Sequence, residues 1–169
     1  MIIIKYIGIL LIFIITFLIG YLISKKYSNR VEELKELQIA LDILKNKIKY
    51  TYEPLKDIFM QMNKILKGNI SILFNEVSKN LEKENTEKAF LLAIEDANTN
   101  LLKEDLEIIK NLSKILGKTD KEGQVSQIEL SETFLKSQIK KAEKEEEKNS
   151  KLYKTLGMTV GLVFVIILI

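Results

Sequence analysis

The sequence predicts an all-α protein: a compact bundle of about six helices between an N-terminal and a C-terminal transmembrane helix. Two observations carry this. Apolar residues in the middle of the chain recur at spacings of three and four, with no strand-like alternation anywhere, and uncharged apolar runs open and close the chain. The expected division is a first span over 2–24, a bundle over 25–142, a charged helical stalk over 143–151 and a second span over 152–169.

The opening run, Tyr6 to Ile23, holds eighteen residues without a charge. At about 1.5 Å of rise each they cover ~27 Å, close to the hydrocarbon thickness of a bilayer. A cleaved secretory signal is the alternative, but Ser24, Lys25 and Lys26 offer no small-x-small cleavage site. The closing run, Thr155 to Ile169, is equally free of charge and rises only about 22 Å. Starting the helix at Leu152, with Tyr153 at headgroup level and Lys151 and Lys154 snorkelling, makes up the shortfall; a re-entrant or interfacial tail is the alternative. Gly157 and Gly161 form a small-xxx-small face suited to packing against another span. Lys25, Lys26 and Arg30 follow the first run, and Lys148, Lys151 and Lys154 precede the second. Both sets place the bundle in the cytoplasm and both termini outside.

Between the spans, Leu34, Leu37, Leu41, Leu44 and Ile48 form a helical seam that Ile39, Ile43 and Tyr50 are expected to widen. Packing within a bundle is favoured over a homodimer zipper because five seam positions are few. Pro54 stops this helix and suits the first turn of the next. That helix carries Leu55, Ile58, Phe59, Met62, Ile65 and Leu66 and is expected to stop at Gly68. A third helix carries Ile70, Leu73, Phe74, Val77 and Leu81. Thr86 is the expected N-cap of a fourth, with Ala89, Phe90, Ala93, Ile94 and Ala97.

Asn98, Thr99 and Asn100 mark a turn into a fifth helix bearing Leu102, Leu106, Ile109, Leu112 and Leu116, ended by Gly117. Thr119-Asp120-Lys121-Glu122 has the form of a capping box for the last helix, whose buried side is expected at Val125, Ile128, Leu130, Phe134, Leu135, Ile139 and Ala142. Glu143 to Lys151 contains no apolar residue and reads as a solvated stalk of about 13 Å, with i,i+4 pairs such as Lys141–Glu145 and Glu147–Lys151.

Composition narrows the function. All of the 26 Lys and Arg but Lys5, and all 23 Asp and Glu, lie between the runs. That segment is therefore nearly neutral and gives no footprint for nucleic acid. With no histidine and no cysteine, disulfides, thiolate metal sites and histidine acid–base chemistry are excluded. Gly117-Lys118-Thr119 imitates the end of a phosphate-binding loop, but Leu112 stands where its first glycine belongs. Glu145, Glu146 and Glu147 point in different directions on a helix, which disfavours a cation site. No catalytic, cofactor or metal residue is predicted.

The order of parts and certain residues resemble the stage III sporulation protein AB family of endospore-forming Firmicutes. These are Gly20-Tyr21 near the end of the first span, Leu34-Lys35-Glu36-Leu37 to Ala40-Leu41, Glu53-Pro54-Leu55, Leu116-Gly117 followed by Asp120 and Gln124, and the terminal Leu-Gly…Ile-Ile-Leu-Ile run. Glu53 stands where the family usually has Thr. The resemblance implies a bundle like the cytoplasmic domain of the platform protein of type II secretion and type IV pilus machines. It also implies a channel complex between mother cell and forespore, in the mother-cell membrane surrounding the forespore. The implied partners are a secretion-type ATPase, stage III sporulation protein AA, and other proteins of the stage III sporulation A operon, with a homo-oligomer possible in principle. The other functional class is a membrane-tethered structural or signalling bundle that acts by dimerising, without an ATPase.

Overall fold

The computed structural model describes residues 2–168, with side-chain surroundings from Lys5 to Leu168. Six helices follow in order: α1 (Ile2–Tyr50), α2 (Leu55–Ile65), α3 (Gly68–Asn80), α4 (Thr86–Glu95), α5 (Lys103–Ser113) and α6 (Lys121–Leu168). Among the described residues there is no strand. Ile169, the end of the second expected span, lies outside the described residues. The chain divides into two units: Glu32–Lys140, and the segment up to Val31 together with the segment from Lys141.

In the unit 32–140 the predicted seam is the core. Leu34, Leu37, Leu41 and Leu44 are at most 1% exposed. α2, α3 and α4 each contribute one phenylalanine to a cluster of Phe59, Phe74 and Phe90, with ring centroids 5.4 to 6.1 Å apart. Two of the three pairs are edge-to-face, a geometry worth about 0.5–1.5 kcal/mol per pair beyond the buried area. α5 adds Ile109, Leu112 and, just beyond its end, Leu116; α6 adds Ile128, Leu135 and Ile139, all buried.

Polar ties complete this unit. The buried Glu33 carboxylate accepts hydrogen bonds from Asn69 Nδ2 (2.7 Å), Asn100 N (2.6 Å) and Asn100 Nδ2 (2.8 Å). One turn along α1, Glu36 accepts from the backbone N–H of Lys67 at 2.7 Å. A carboxylate so placed satisfies orphan donors and complements the positive end of α3. Lys45 reaches both oxygens of Glu132 on α6, at 2.7 and 2.8 Å, and this contact holds the lysine above its ordinary pKa.

The buried faces differ from the sequence reading at several positions. Ile39 and Tyr50 are exposed, at 48% and 70%, because the α1 seam is flanked by Ala40, Glu33 and Lys45 and these two residues lie opposite it. On α6, Leu130 and Phe134 are exposed, while the slot between Ile128 and Leu135 is filled by buried Ser131, whose hydroxyl donates to the Gln127 carbonyl. Ile65 and Leu102 are exposed at helix ends, where the adjacent Leu66 and Leu101 are buried instead.

The helix ends differ as well. α2 stops at Ile65 with extended Leu66 as its C-cap. Gly68 is not the stop but the first residue of α3, at φ 58°, a left-handed conformation that favours glycine. The fourth N-cap is Asn85 rather than Thr86: its side chain accepts from the Lys88 N–H at 3.0 Å. The last N-cap is Asp120 rather than Thr119, with Oδ1 accepting from the Gly123 N–H at 2.9 Å. In both cases two capping residue types stand side by side; the first of the pair caps α4 and the second caps α6.

Candidate functional site

In the paired segments of α1 and α6 the two backbones approach closely at glycines. A Cβ added at Gly20 would lie 2.5 Å from the Tyr153 carbonyl and 2.9 Å from Gly157 Cα; one at Gly157 would lie 2.9 Å from the Thr16 carbonyl. A Cβ at Gly161 would meet Thr16 Oγ1 at 2.6 Å and Phe13 Cδ2 at 2.8 Å. The expected small-residue face at Gly157 and Gly161 thus packs against the chain's own first apolar helix, with Gly20 as its counterpart. Gly8, in the same apolar run, has nothing within 4 Å of its added Cβ, so glycine content alone does not mark the crossing.

Beyond the crossing the same two helices are joined by a polar ladder. Ser24 and Ser150 share a hydroxyl hydrogen bond of 2.7 Å. Ser28 donates to Glu146 Oε1 at 2.6 Å, and Arg30 Nη1 donates to Glu145 Oε2 at 2.6 Å. Tyr27 and Tyr153 stack with centroids 5.9 Å apart. Burial raises the Tyr27 phenol, and neighbouring Tyr153 and the Glu145 carboxylate add to it.

Arg30 is only 4% exposed. It is also the one arginine among the 26 Lys and Arg, and a planar guanidinium is the cation best suited to a buried pair with a carboxylate. The expected stalk is therefore partnered rather than solvated on every side. Glu145 and Glu146 are engaged across the pair, and among the described residues no ion pair joins Glu147 to Lys151.

Of the residues quoted for the resemblance, Leu116, Gly117, Asp120 and Gln124 fall together at the α5–α6 turn. Leu116 is fully buried. Gly117 follows at φ 75°, and its N–H donates to Gln124 Oε1 at 3.0 Å. The same amide donates through Nε2 to the Thr119 carbonyl at 2.9 Å. Gln124 thus spans the turn that Gly117 makes possible, and Asp120 caps the helix that carries it. The Leu-Gly-x-x-Asp-x-x-x-Gln spacing encodes a closed turn, in which the Gly117 and Lys118 N–H groups donate internally, to Gln124 Oε1 and the Ile115 carbonyl, rather than toward a phosphate.

Pro54 is the N-cap of α2, its carbonyl accepting from the N–H groups of Asp57 and Ile58. Glu53 does not cap that helix. It accepts from Lys47 Nζ at 2.9 Å and from Gln61 Nε2 at 2.6 Å, and Lys47 also reaches Gln61 Oε1 at 2.7 Å, so the three residues staple α1 to α2. Among the described residues, no group of three or more His, Cys, Asp or Glu is placed to hold a metal ion.

α1 and α6 are both long and apolar enough to cross a membrane, by length and composition, and little of either apolar stretch is buried within the chain. A sequence model described as "Stage III sporulation protein AB (spore_III_AB)" matches residues 5–169. The chain belongs to the stage III sporulation protein AB family. The chain is 29% identical over 168 residues to stage III sporulation protein AB of Bacillus subtilis (strain 168), covering 97% of this chain and 98% of that protein. A solved structure titled stage III sporulation protein AB superposes with a TM-score of 0.67 at 26% identity, covering 71% of this chain and 98% of the other. The all-helical architecture is shared with that family member.

Sequence reasoning missed Gly20 as a packing residue, together with Ser24, Arg30, Glu33 and Ser150. A signal was present for two of them: Arg30 as the solitary arginine, and Gly20 as a small residue within a bulky apolar run.

Proposed function

We propose that this chain is a non-enzymatic membrane platform of the sporulation apparatus that links mother cell and forespore. In this reading residues 2–24 and 152–169 span the mother-cell membrane surrounding the forespore. The bundle over 25–142 and the charged stretch over 143–151 lie in the cytoplasm, and both termini lie outside. Its partners are a secretion-type ATPase, stage III sporulation protein AA, and other stage III sporulation A-operon proteins, with the bundle coupling ATPase motion to membrane components. The observation that carries the reading is a family match over 5–169 in a chain whose two apolar helices pack at Gly20 and Gly157 with lysines gathered beyond that crossing. Membership supports a role in sporulation, and the paired apolar helices support a two-span anchor over a single tether.

Deleting Leu156 to Ile169 tests this. The first apolar run suffices for anchoring, so the truncated protein is expected in the membrane fraction at normal abundance while spore formation fails. In intact cells carrying the full chain, an impermeant thiol reagent is expected to label Ile169→Cys and spare Ser131→Cys. Wild-type spore yield from a stable truncated protein would favour a tether that acts by dimerising, and the reverse labelling pattern would overturn the orientation.

A further inference from the structure

The glycine crossing leaves a groove on one side of the paired helices. It has a volume of about 260 Å³ and runs between Ile19, Gly20 and Ile23 on α1 and Leu156, Gly157 and Val160 on α6. Thr16 and Tyr153 complete its lining. From residue 16 to residue 23 the helix rises about 10 Å, the length of a stretch of acyl chain. Lys26 follows Ile19 and Ile23 on the same helix face at i+7 and i+3, where the groove ends beside the stacked Tyr27 and Tyr153. Lys26 is exposed and has no ion pair among the described residues.

We propose that this groove binds an anionic phospholipid, an acyl chain lying along Ile23 and Val160 and the headgroup phosphate meeting the Lys26 ammonium. The inference rests on the membrane reading above. Two features favour a lipid over another helix. Gly20 and Gly157 are already spent on each other, so the rim offered outward is Ile19 (53% exposed), Leu156 (46%) and Val160 (43%). A rim of bulky aliphatic side chains suits a disordered acyl chain, whereas close helix packing needs small residues. A second copy would also bring its own Lys25, Lys26, Lys148, Lys151 and Lys154 to the same level, and like charges would meet where an anionic headgroup is attracted.

The test uses the full chain in phosphatidylcholine vesicles with and without a minor fraction of phosphatidylglycerol, read by flotation and by native mass spectrometry of the protein released from them. The protein is expected to float with both vesicle types and to retain one phosphatidylglycerol in preference to phosphatidylcholine. Lys26→Gln is expected to weaken that preference about fivefold, the factor one lysine supplies at an anionic surface. Val160→Phe, which fills the groove from its exposed rim, is expected to abolish retention of either lipid, and Lys148→Gln to leave retention unchanged. Flotation without lipid preference, or equal losses for Lys26→Gln and Lys148→Gln, would overturn the lipid site alone. So would a dimer cross-linked through Ile23→Cys in place of bound lipid. Failure to float with either vesicle would overturn the membrane reading and the lipid site together.

Discussion

The unit 32–140 and the paired segments up to Val31 and from Lys141 are both made of helices, yet different forces hold them. The first buries large side chains: the Leu34–Leu44 seam and the cluster of Phe59, Phe74 and Phe90 are essentially closed to solvent. The second buries few large side chains, Ile9, Arg30 and Val31 among them. Its helices meet through backbone at Gly20 and Gly157, then through the ladder Ser24–Ser150, Ser28–Glu146 and Arg30–Glu145. In water the first strategy draws on the hydrophobic effect. Between two apolar helices in a lipid surrounding, where tails are as apolar as leucine, close backbone contact of the kind at Gly20 and Gly157 serves instead.

The sharpest break between the regions is expected from Leu41→Asp. Leu41 is 1% exposed, and a carboxylate there has no partner, so a loss of roughly 3–5 kcal/mol is expected. Urea melts followed by circular dichroism in detergent measure it. An unchanged midpoint would show that the seam is not the core of the bundle.

A smaller effect is expected at the α5–α6 turn. Gln124→Ala removes both bonds that close it, each worth about 0.5–1.5 kcal/mol net, and leaves the Gly117 N–H and the Thr119 carbonyl to water. A loss of roughly 1–2 kcal/mol by urea melt fits a structural clamp. Unchanged stability coupled with lost sporulation would make the turn a binding site instead.

The smallest effect is electrostatic and belongs to the bundle alone. Glu53, Glu82 and Glu87 are held below the ordinary glutamate range by hydrogen bonds from Lys47, Lys56 and Lys118 respectively, with Gln61 helping at Glu53. A lowered folded pKa means that the stabilisation is complete above the ordinary glutamate value and is lost as pH falls through the folded value. All three side chains are solvent-screened, so acid is expected to lower the urea midpoint slightly, with the dependence flattened by Glu53→Gln and by high salt. A midpoint that rises on acidification would contradict these assignments.

The same contrast explains what the sequence reveals. The seam from Leu34 to Ile48, the break at Pro54 and the turn at Gly117 were legible because burial of large residues leaves a period and special backbone angles leave a glycine. Ile39, Tyr50, Leu130 and Phe134 misled because they are apolar without lying on the buried stripe, while Ser131 and Glu33 lie on or beside it and are polar. Glu33 is buried only because Asn69 and Asn100 reach it from distant parts of the chain, a pairing no local pattern encodes. The ladder at Ser24, Ser28 and Arg30 was illegible for the same reason: each bond joins residues more than a hundred positions apart.

Pairing of the two terminal helices within one chain is the central claim, and a disulfide tests it most directly. The Ser24 and Ser150 hydroxyl oxygens are 2.7 Å apart, so Ser24→Cys with Ser150→Cys in one chain should close on mild oxidation of isolated membranes. The account predicts a cross-linked monomer formed efficiently, and much less of it when Gly20→Val, which drives a Cβ into the Tyr153 carbonyl, is added. Cross-linked dimers in place of monomer, or cross-linking indifferent to Gly20→Val, would contradict it.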